Sequence, residues 1–188
     1  MSKVATILWN FQDLIIILIS MGLKSRYHRL NIFVKHVIRR EQRNKEVEKL
    51  GTDAYIQTQV WRKVREAYVR QAALVRKVDR KLGALILLSN VNNLYFICLQ
   101  LFLGIGKISG TFINKAYYFL SLGWLLFRAC SVVLAASDIH DHSTLALPCL
   151  YECPGSSYNV EIKRLINQLC NDDVALTGMD EAEEKPWY

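Results

Sequence analysis

Leu82–Gly106 reads LGALILLSNVNNLYFICLQLFLGIG, 25 residues without one Asp, Glu, Lys, Arg or His. A helix needs about 20 predominantly apolar residues to cross a hydrocarbon core of about 30 Å. A soluble bundle spreads its apolar residues at core spacing; here they come in blocks. Two other blocks have the same character. Val4–Leu23 holds 20 residues with Asp13 as the one charge, and Ala116–Ala136 holds 21 with Arg128 as the one charge. The expected class is therefore an all-α, multi-span helical membrane protein with three spans.

The first block does not read as a secretory signal. Such a signal has a basic start, a short apolar centre and a small-residue cleavage site. Here Lys3 alone precedes the block, Asn10, Gln12 and Asp13 interrupt it, and bulky basic sequence follows.

Between the first two blocks, residues 24–81 carry seventeen Lys and Arg against six Asp and Glu, within a chain of net charge +7. Lys and Arg concentrate on the cytoplasmic side of membrane proteins. Residues 1–23 then form a span running inward, and 82–106 a span returning outward. A short extracellular loop, 107–115, leads to the third span at 116–136. Because spans flank the basic segment, it reads as the polar side of a membrane protein. Nucleic-acid binding is not expected.

The basic segment is also patterned. Leu30, Phe33, Val34, Val37 and Ile38 recur at helical spacing, so the first span should continue as one helix beyond the membrane. Gly51, Thr52 and Asp53 make a break. A second long helix then begins near Tyr55, with Trp61, Val64, Tyr68, Val75, Val78 and Leu82 on one stripe. Such a stripe calls for partner helices, so residues 24–81 should form a helical anchor bundle below the membrane. Ser137–Ser157, with two prolines, reads as a loop. Ile162, Leu165, Ile166 and Leu169 mark a short amphipathic helix, and 180–188 an acidic tail. Of the five cysteines, Cys98 and Cys130 lie in spans and Cys149, Cys153 and Cys170 on the expected cytoplasmic side, so no disulfide framework is implied.

Asp13 carries most of the functional information. An Asp at the centre of a span costs about 2.5–3.5 kcal/mol, and each Leu or Ile returns about 0.3–0.6. The aliphatic run Leu14–Ile19 roughly offsets it. A charge kept at that cost faces a water-filled cavity or a partner. Trp9 lies one turn earlier on the same face. An indole that covers the C–H face of a sugar, beside a carboxylate that accepts its hydroxyls, suits a polyhydroxylated ligand. The plainer alternative is helix packing, or a salt bridge to Arg128. Asn93, Tyr95 and Gln100 in the second span, with Tyr117 and Tyr118 in the third, lie at the depth to complete such a pocket. Aromatic residues at that level also serve as an interfacial belt, and the Asn residues of the Ser89–Asn93 run also serve as glue between helices.

His140, His142, Cys149 and Cys153 fit no common zinc spacing, so neither a metal nor another cofactor is expected. A nucleophile elbow, a phosphate loop and a dinucleotide fingerprint are all missing, so an enzyme is not expected.

Four stretches carry a resemblance: Trp9–Leu14 (WNFQDL), Ala84–Leu101 (ALILLSNVNNLYFICLQL), Ala135–Asp141 (AASDIHD) and Val174–Met179 (VALTGM). In this order the chain resembles insect gustatory receptors of the sugar-sensing group, over about residues 5 to 179. The resemblance implies a seven-helix protein with a cytoplasmic amino terminus, related to insect odorant receptors. It implies a tetrameric cation channel in the plasma membrane, opened by sugar and built with other receptor subunits. The spans here would be its fourth, fifth and sixth helices, and Asn159–Asp172 the short helix that packs in the anchor. Its first three helices are not in the sequence. Where a pore helix should follow Met179, the chain has Asp180-Glu181-Ala182-Glu183-Glu184. The expectation is a truncated product, a fragment or a mis-joined gene model. The alternative reading is a non-catalytic structural or regulatory protein of three spans.

Overall fold

The computed structural model describes residues 3–44, 52–105, 112–153, 158–172, 174 and 176. Five helices follow one another: α1 (Lys3–Asn44), α2 (Thr52–Ile105), α3 (Phe112–Thr144), α4 (Leu147–Tyr151) and α5 (Val160–Asn171). Among the described residues there is no strand. α1 has 42 residues, α2 54 and α3 33. At 1.5 Å per residue these lengths exceed the thickness of a bilayer core, α2 by more than twofold. Each helix is long and apolar enough to cross a membrane, and α1 and α2 must project well beyond it.

Cross-helix bonds set the directions. Gln12 Nε2 donates to the Leu85 carbonyl at 2.9 Å, and Trp61 Nε1 donates to Glu41 Oε1 at 2.8 Å. Rising numbers in α1 meet falling numbers in α2, so the two are antiparallel. Lys24 Nζ reaches Asp138 Oδ2 at 2.6 Å, and Asn31 Nδ2 donates to the His142 carbonyl at 2.8 Å. α1 and α3 therefore run parallel.

Buried positions in α1 are Asp13, Ile16, Ser20, Leu23, Tyr27, Asn31, Val34 and Ile38. Their spacing of three and four makes one stripe that passes unbroken from the apolar half into the basic half. In α2 Trp61, Val64, Tyr68 and Val75 are buried as the sequence stripe requires, with Val78 and Leu82 packed against them. The polar Gln71 is buried as well.

Burial runs opposite to hydropathy. The basic half holds a packed core of Tyr27, Trp61, Tyr68, Ile139, Leu150 and Leu165, each at most 1% exposed. In the apolar half Phe102, Phe112 and Leu120 are 75%, 84% and 75% exposed. Apolar patches of this size do not persist in water. A helix can stand in lipid because its backbone polar groups are satisfied internally. The chain is a helical membrane protein.

Residues 137–153 differ from the loop expected over 137–157. α3 continues to Thr144, and α4 follows. Between Ala136 and Pro148 there is no Gly or Pro to break the helix, and the turns there are held in place: Ile139 is fully buried, Asp138 pairs with Lys24, and Asn31 caps the His142 carbonyl. Pro148 then sits in the first turn of α4, where its missing N–H costs nothing. At its start α3 begins at Phe112, before the expected Ala116. Gly51, Pro154, most of the 107–115 connection and the 180–188 tail lie outside the described residues.

α5 is capped by Asn159, whose Oδ1 accepts from the Ile162 N–H at 3.0 Å. It buries Ile162, Leu165, Ile166 and Leu169 at i, i+3, i+4 and i+7 against the long helices. Arg65 Nε and Arg164 Nη1 each donate to Glu161 at 2.8 Å, and Arg76 pairs with Asp172.

Candidate functional site

The α1 stripe places Asp13 midway along the first apolar block, facing both neighbouring helices. Its side chain is 2% exposed. Two groups meet it from opposite partners. Ser89 Oγ of α2 donates to Oδ1, and Arg128 Nε of α3 stands 2.9 Å from Oδ2, without the alignment of a hydrogen bond. The charge is held by a buried ion pair rather than left facing solvent.

Arg128 is the centre of the arrangement. Its Nη2 donates to Asn93 Oδ1 at 2.7 Å, and its Nη1 donates to Asn10 Oδ1. Cζ lies 3.9 Å from the centroid of the Trp9 ring. Phe96 packs against the same ring at 4.4 Å between centroids. Asn93 Nδ2 reaches Ser89 Oγ at 3.4 Å, which closes the network on α2. An arginine suits this place because its planar fork carries five donors in fixed directions and stacks on aromatic faces. The Trp9 indole N–H is buried without a hydrogen-bond partner.

Of the residues singled out in the sequence, Trp9, Asp13 and Asn93 come together around Arg128. The others do not join them. Tyr95 is 58% exposed and Tyr117 76% exposed, both on the outer surface of the three helices. Tyr118 meets Gln100, but through the backbone: its hydroxyl donates to the Gln100 carbonyl at 3.1 Å. There α2 and α3 approach so closely that a Cβ on Gly104 would overlap the Tyr118 ring. Asn10, Ser89, Phe96 and Arg128 complete the cluster. One signal for Arg128 lay in the sequence: the first and third blocks each hold a single charge, of opposite sign.

Chemically, the cluster offers a neutralised carboxylate–guanidinium pair, two side-chain amides, a hydroxyl and an indole at membrane depth. Each could exchange a hydrogen bond with a neutral hydroxyl. Because Arg128 and Phe96 already lie against Trp9, hydroxyl recognition has more scope here than stacking on the ring.

A second polar group lies in the basic half. Tyr68 donates from its hydroxyl to Asn31 Oδ1 at 2.5 Å. Burial pushes the Tyr27 and Tyr68 hydroxyls well above their ordinary values, so both stay protonated. Beside them is a small cavity lined by Tyr27, Tyr68, Ser143, Gln168 and Asp172. Among the described residues no three His, Cys, Asp or Glu side chains are grouped to hold a metal ion. His142 Nδ1 lies 3.0 Å from the Asp138 carbonyl, and Cys153 Sγ faces Glu41.

A family model described as trehalose receptor matches residues 1–180. The chain is 37% identical over 173 residues to "Gustatory receptor for sugar taste 64a" of Drosophila melanogaster, covering 92% of this chain and 35% of that protein. It is 31% identical over 175 residues to "Gustatory receptor for sugar taste 64f", covering 93% and 34%. It is 32% identical over 171 residues to "Gustatory receptor 5a for trehalose", covering 91% and 35%. Both are also from Drosophila melanogaster. The chain thus spans about a third of the length of these relatives.

Proposed function

The chain belongs to the trehalose receptor family, and from that premise we propose that it is part of a gustatory receptor that detects sugars at the plasma membrane. The observation that carries this reading is the Asp13–Arg128 cluster with Trp9, Asn10, Asn93 and Ser89 at membrane depth. Sugar enters from the outer side and exchanges its hydroxyls for hydrogen bonds within the cluster. Tyr95, Gln100, Tyr117 and Tyr118, nearer the outer surface, serve its approach. The basic half of α1 and α2 faces the cytoplasm, in keeping with the excess of Lys and Arg there. In the assembled receptor the segment belongs to one subunit of a tetrameric cation channel. Sugar opens that channel only if it binds the open arrangement better than the closed one. Support for the sugar comes from the relatives' names, and support for the channel from the resemblance in the sequence.

The pairing of a buried Asp13 with Arg128 also favours a second reading, a three-span scaffold in which the pair only locks helices together. Binding separates the two. The chain is reconstituted in lipid nanodiscs and saturation transfer to trehalose is followed by NMR. The sugar reading expects transfer that falls several-fold in Asn93→Ala and Trp9→Leu. Absence of transfer to trehalose, in a chain whose helix content is intact, leaves the scaffold.

A further inference from the structure

Within the three apolar blocks Asp13 and Arg128 are the only Asp, Glu, Lys, Arg or His residues, and they sit against each other at 2.9 Å. The carboxylate is 2% exposed and the guanidinium side chain 11%. The two charges therefore cancel locally, in a place where solvent screens little. Every other partner in the cluster is neutral: Asn10, Asn93, Ser89 and Trp9. A ligand that enters finds donors and acceptors but no net charge to match its own. A neutral polyol can exchange hydrogen bonds there at little loss. An anion or cation would add an unbalanced charge to a low-dielectric region, which is strongly unfavourable unless a counter-charge is at hand.

We propose that Arg128 is the specificity-determining residue of this site: by neutralising Asp13 it restricts the site to uncharged polyhydroxylated ligands. The inference rests on the sugar-site reading given above and adds to it the residue that sets the ligand's charge. The arrangement of the amides has the same origin. With three separate nitrogens of one planar group engaged toward Asp13, Asn10 and Asn93, the guanidinium fixes both Asn carbonyls toward itself and turns both amide N–H₂ groups away. The Asn93 N–H₂ then reaches Ser89 Oγ, so a sugar hydroxyl meets amide and hydroxyl groups and not a free carboxylate. Such a site selects by charge in a predictable way. Removing the acid leaves Arg128 as a net positive charge; removing the base leaves Asp13 as a net negative one.

The experiment uses the chain in nanodiscs with three sugar probes of different charge: neutral trehalose, anionic glucuronate and cationic glucosamine, near neutral pH. Saturation-transfer competition ranks them for wild type, Asp13→Asn, Arg128→Gln and the double variant, and thermal melting reports the fold. Wild type is expected to take trehalose and refuse both charged probes. Asp13→Asn should raise glucuronate relative to trehalose by roughly tenfold or more, and Arg128→Gln should raise glucosamine likewise, as an unbalanced charge at partly screened distance implies. The double variant carries no charge and should again refuse both charged probes, which keeps the test alive if a single variant fails to fold. The proposal is overturned if charged probes bind wild type as well as trehalose does, if the single variants keep the wild-type ranking, or if the double variant accepts a charged probe. Failure of the sugar reading has a different signature: trehalose is silent on wild type while the two single variants still show opposite charge preferences.

Discussion

Tyr68 on α2 donates its hydroxyl to Oδ1 of Asn31 on α1 at 2.5 Å, and the Asn31 amide in turn donates to the His142 carbonyl on α3. One short chain of polar contacts thus fastens all three long helices in the basic half. Tyr68 and Asn31 are 1% and 2% exposed. Tyr68→Phe keeps the ring and leaves a buried acceptor unmet, at a cost of about 1–3 kcal/mol. The melting temperature of the purified chain in detergent should fall accordingly; an unchanged value would mean that the hydroxyl contributes nothing there.

Gly104 tests the contact at the other end of the molecule. Alanine exceeds glycine in helix preference by about 1 kcal/mol, so Gly104→Ala should stabilise an isolated helix. Here the new methyl meets the Tyr118 ring and displaces it from the Gln100 carbonyl. The gain should therefore vanish in the wild-type background and reappear with Tyr118→Ala. A double-mutant cycle of melting temperatures measures the coupling. Additive effects would show that α2 and α3 are not in contact at Gly104.

The docking of α5 should depend on acid pH. The hydrogen bond from Arg65 holds the Glu161 carboxyl below its usual range; burial opposes this, and Arg164 adds to it. A carboxylate with a depressed folded value stabilises the fold above its unfolded value, roughly 4.3. That contribution is lost as the pH falls through the lower, folded value. Asp138, lowered by its hydrogen bond from Lys24, acts in the same sense. Hydrogen exchange in α5 should accelerate below about pH 4, and Glu161→Gln should flatten the dependence. Equal pH profiles for both proteins would remove Glu161 from the docking of α5.

How much of this was legible beforehand follows from the physics of each feature. Spans are set by length and hydropathy, which sequence states directly, so Leu82–Gly106 settled the class without help. The stripe through Trp61, Val64, Tyr68 and Val75 was equally plain, because helical spacing is a local property. Partners across helices are not local. Asp13 and Arg128 each stood alone as a charge in an apolar block, and their pairing was legible only as one option among several, since it depends on how the helices rotate and align. Tyr95 stands apart from the Arg128 cluster for a reason the sequence already held. Two residues from Asn93, it lies about 200° around the helix, so the two cannot share a face. Tyr117 is eleven residues from Arg128, about 16 Å along α3, level with the very start of α1. The helical continuation of α3 past Ala136 was missed because polar residues there looked like a loop. They are polar because they leave the apolar block, while Ile139 and the Lys24–Asp138 pair keep the helix packed.

The central claim is that solvent and sugar reach a polar cluster buried at the depth of the membrane. The most direct measurement places a single cysteine at Asn93, in a chain whose five native cysteines are replaced by serine, and follows its modification by a water-soluble methanethiosulfonate reagent in nanodiscs. The account predicts that position 93 is labelled and that trehalose, at a concentration raised to offset the weaker binding expected of this variant, slows the labelling several-fold. A thiol there that stays unlabelled in the folded chain, or one labelled at the same rate with and without sugar, contradicts it.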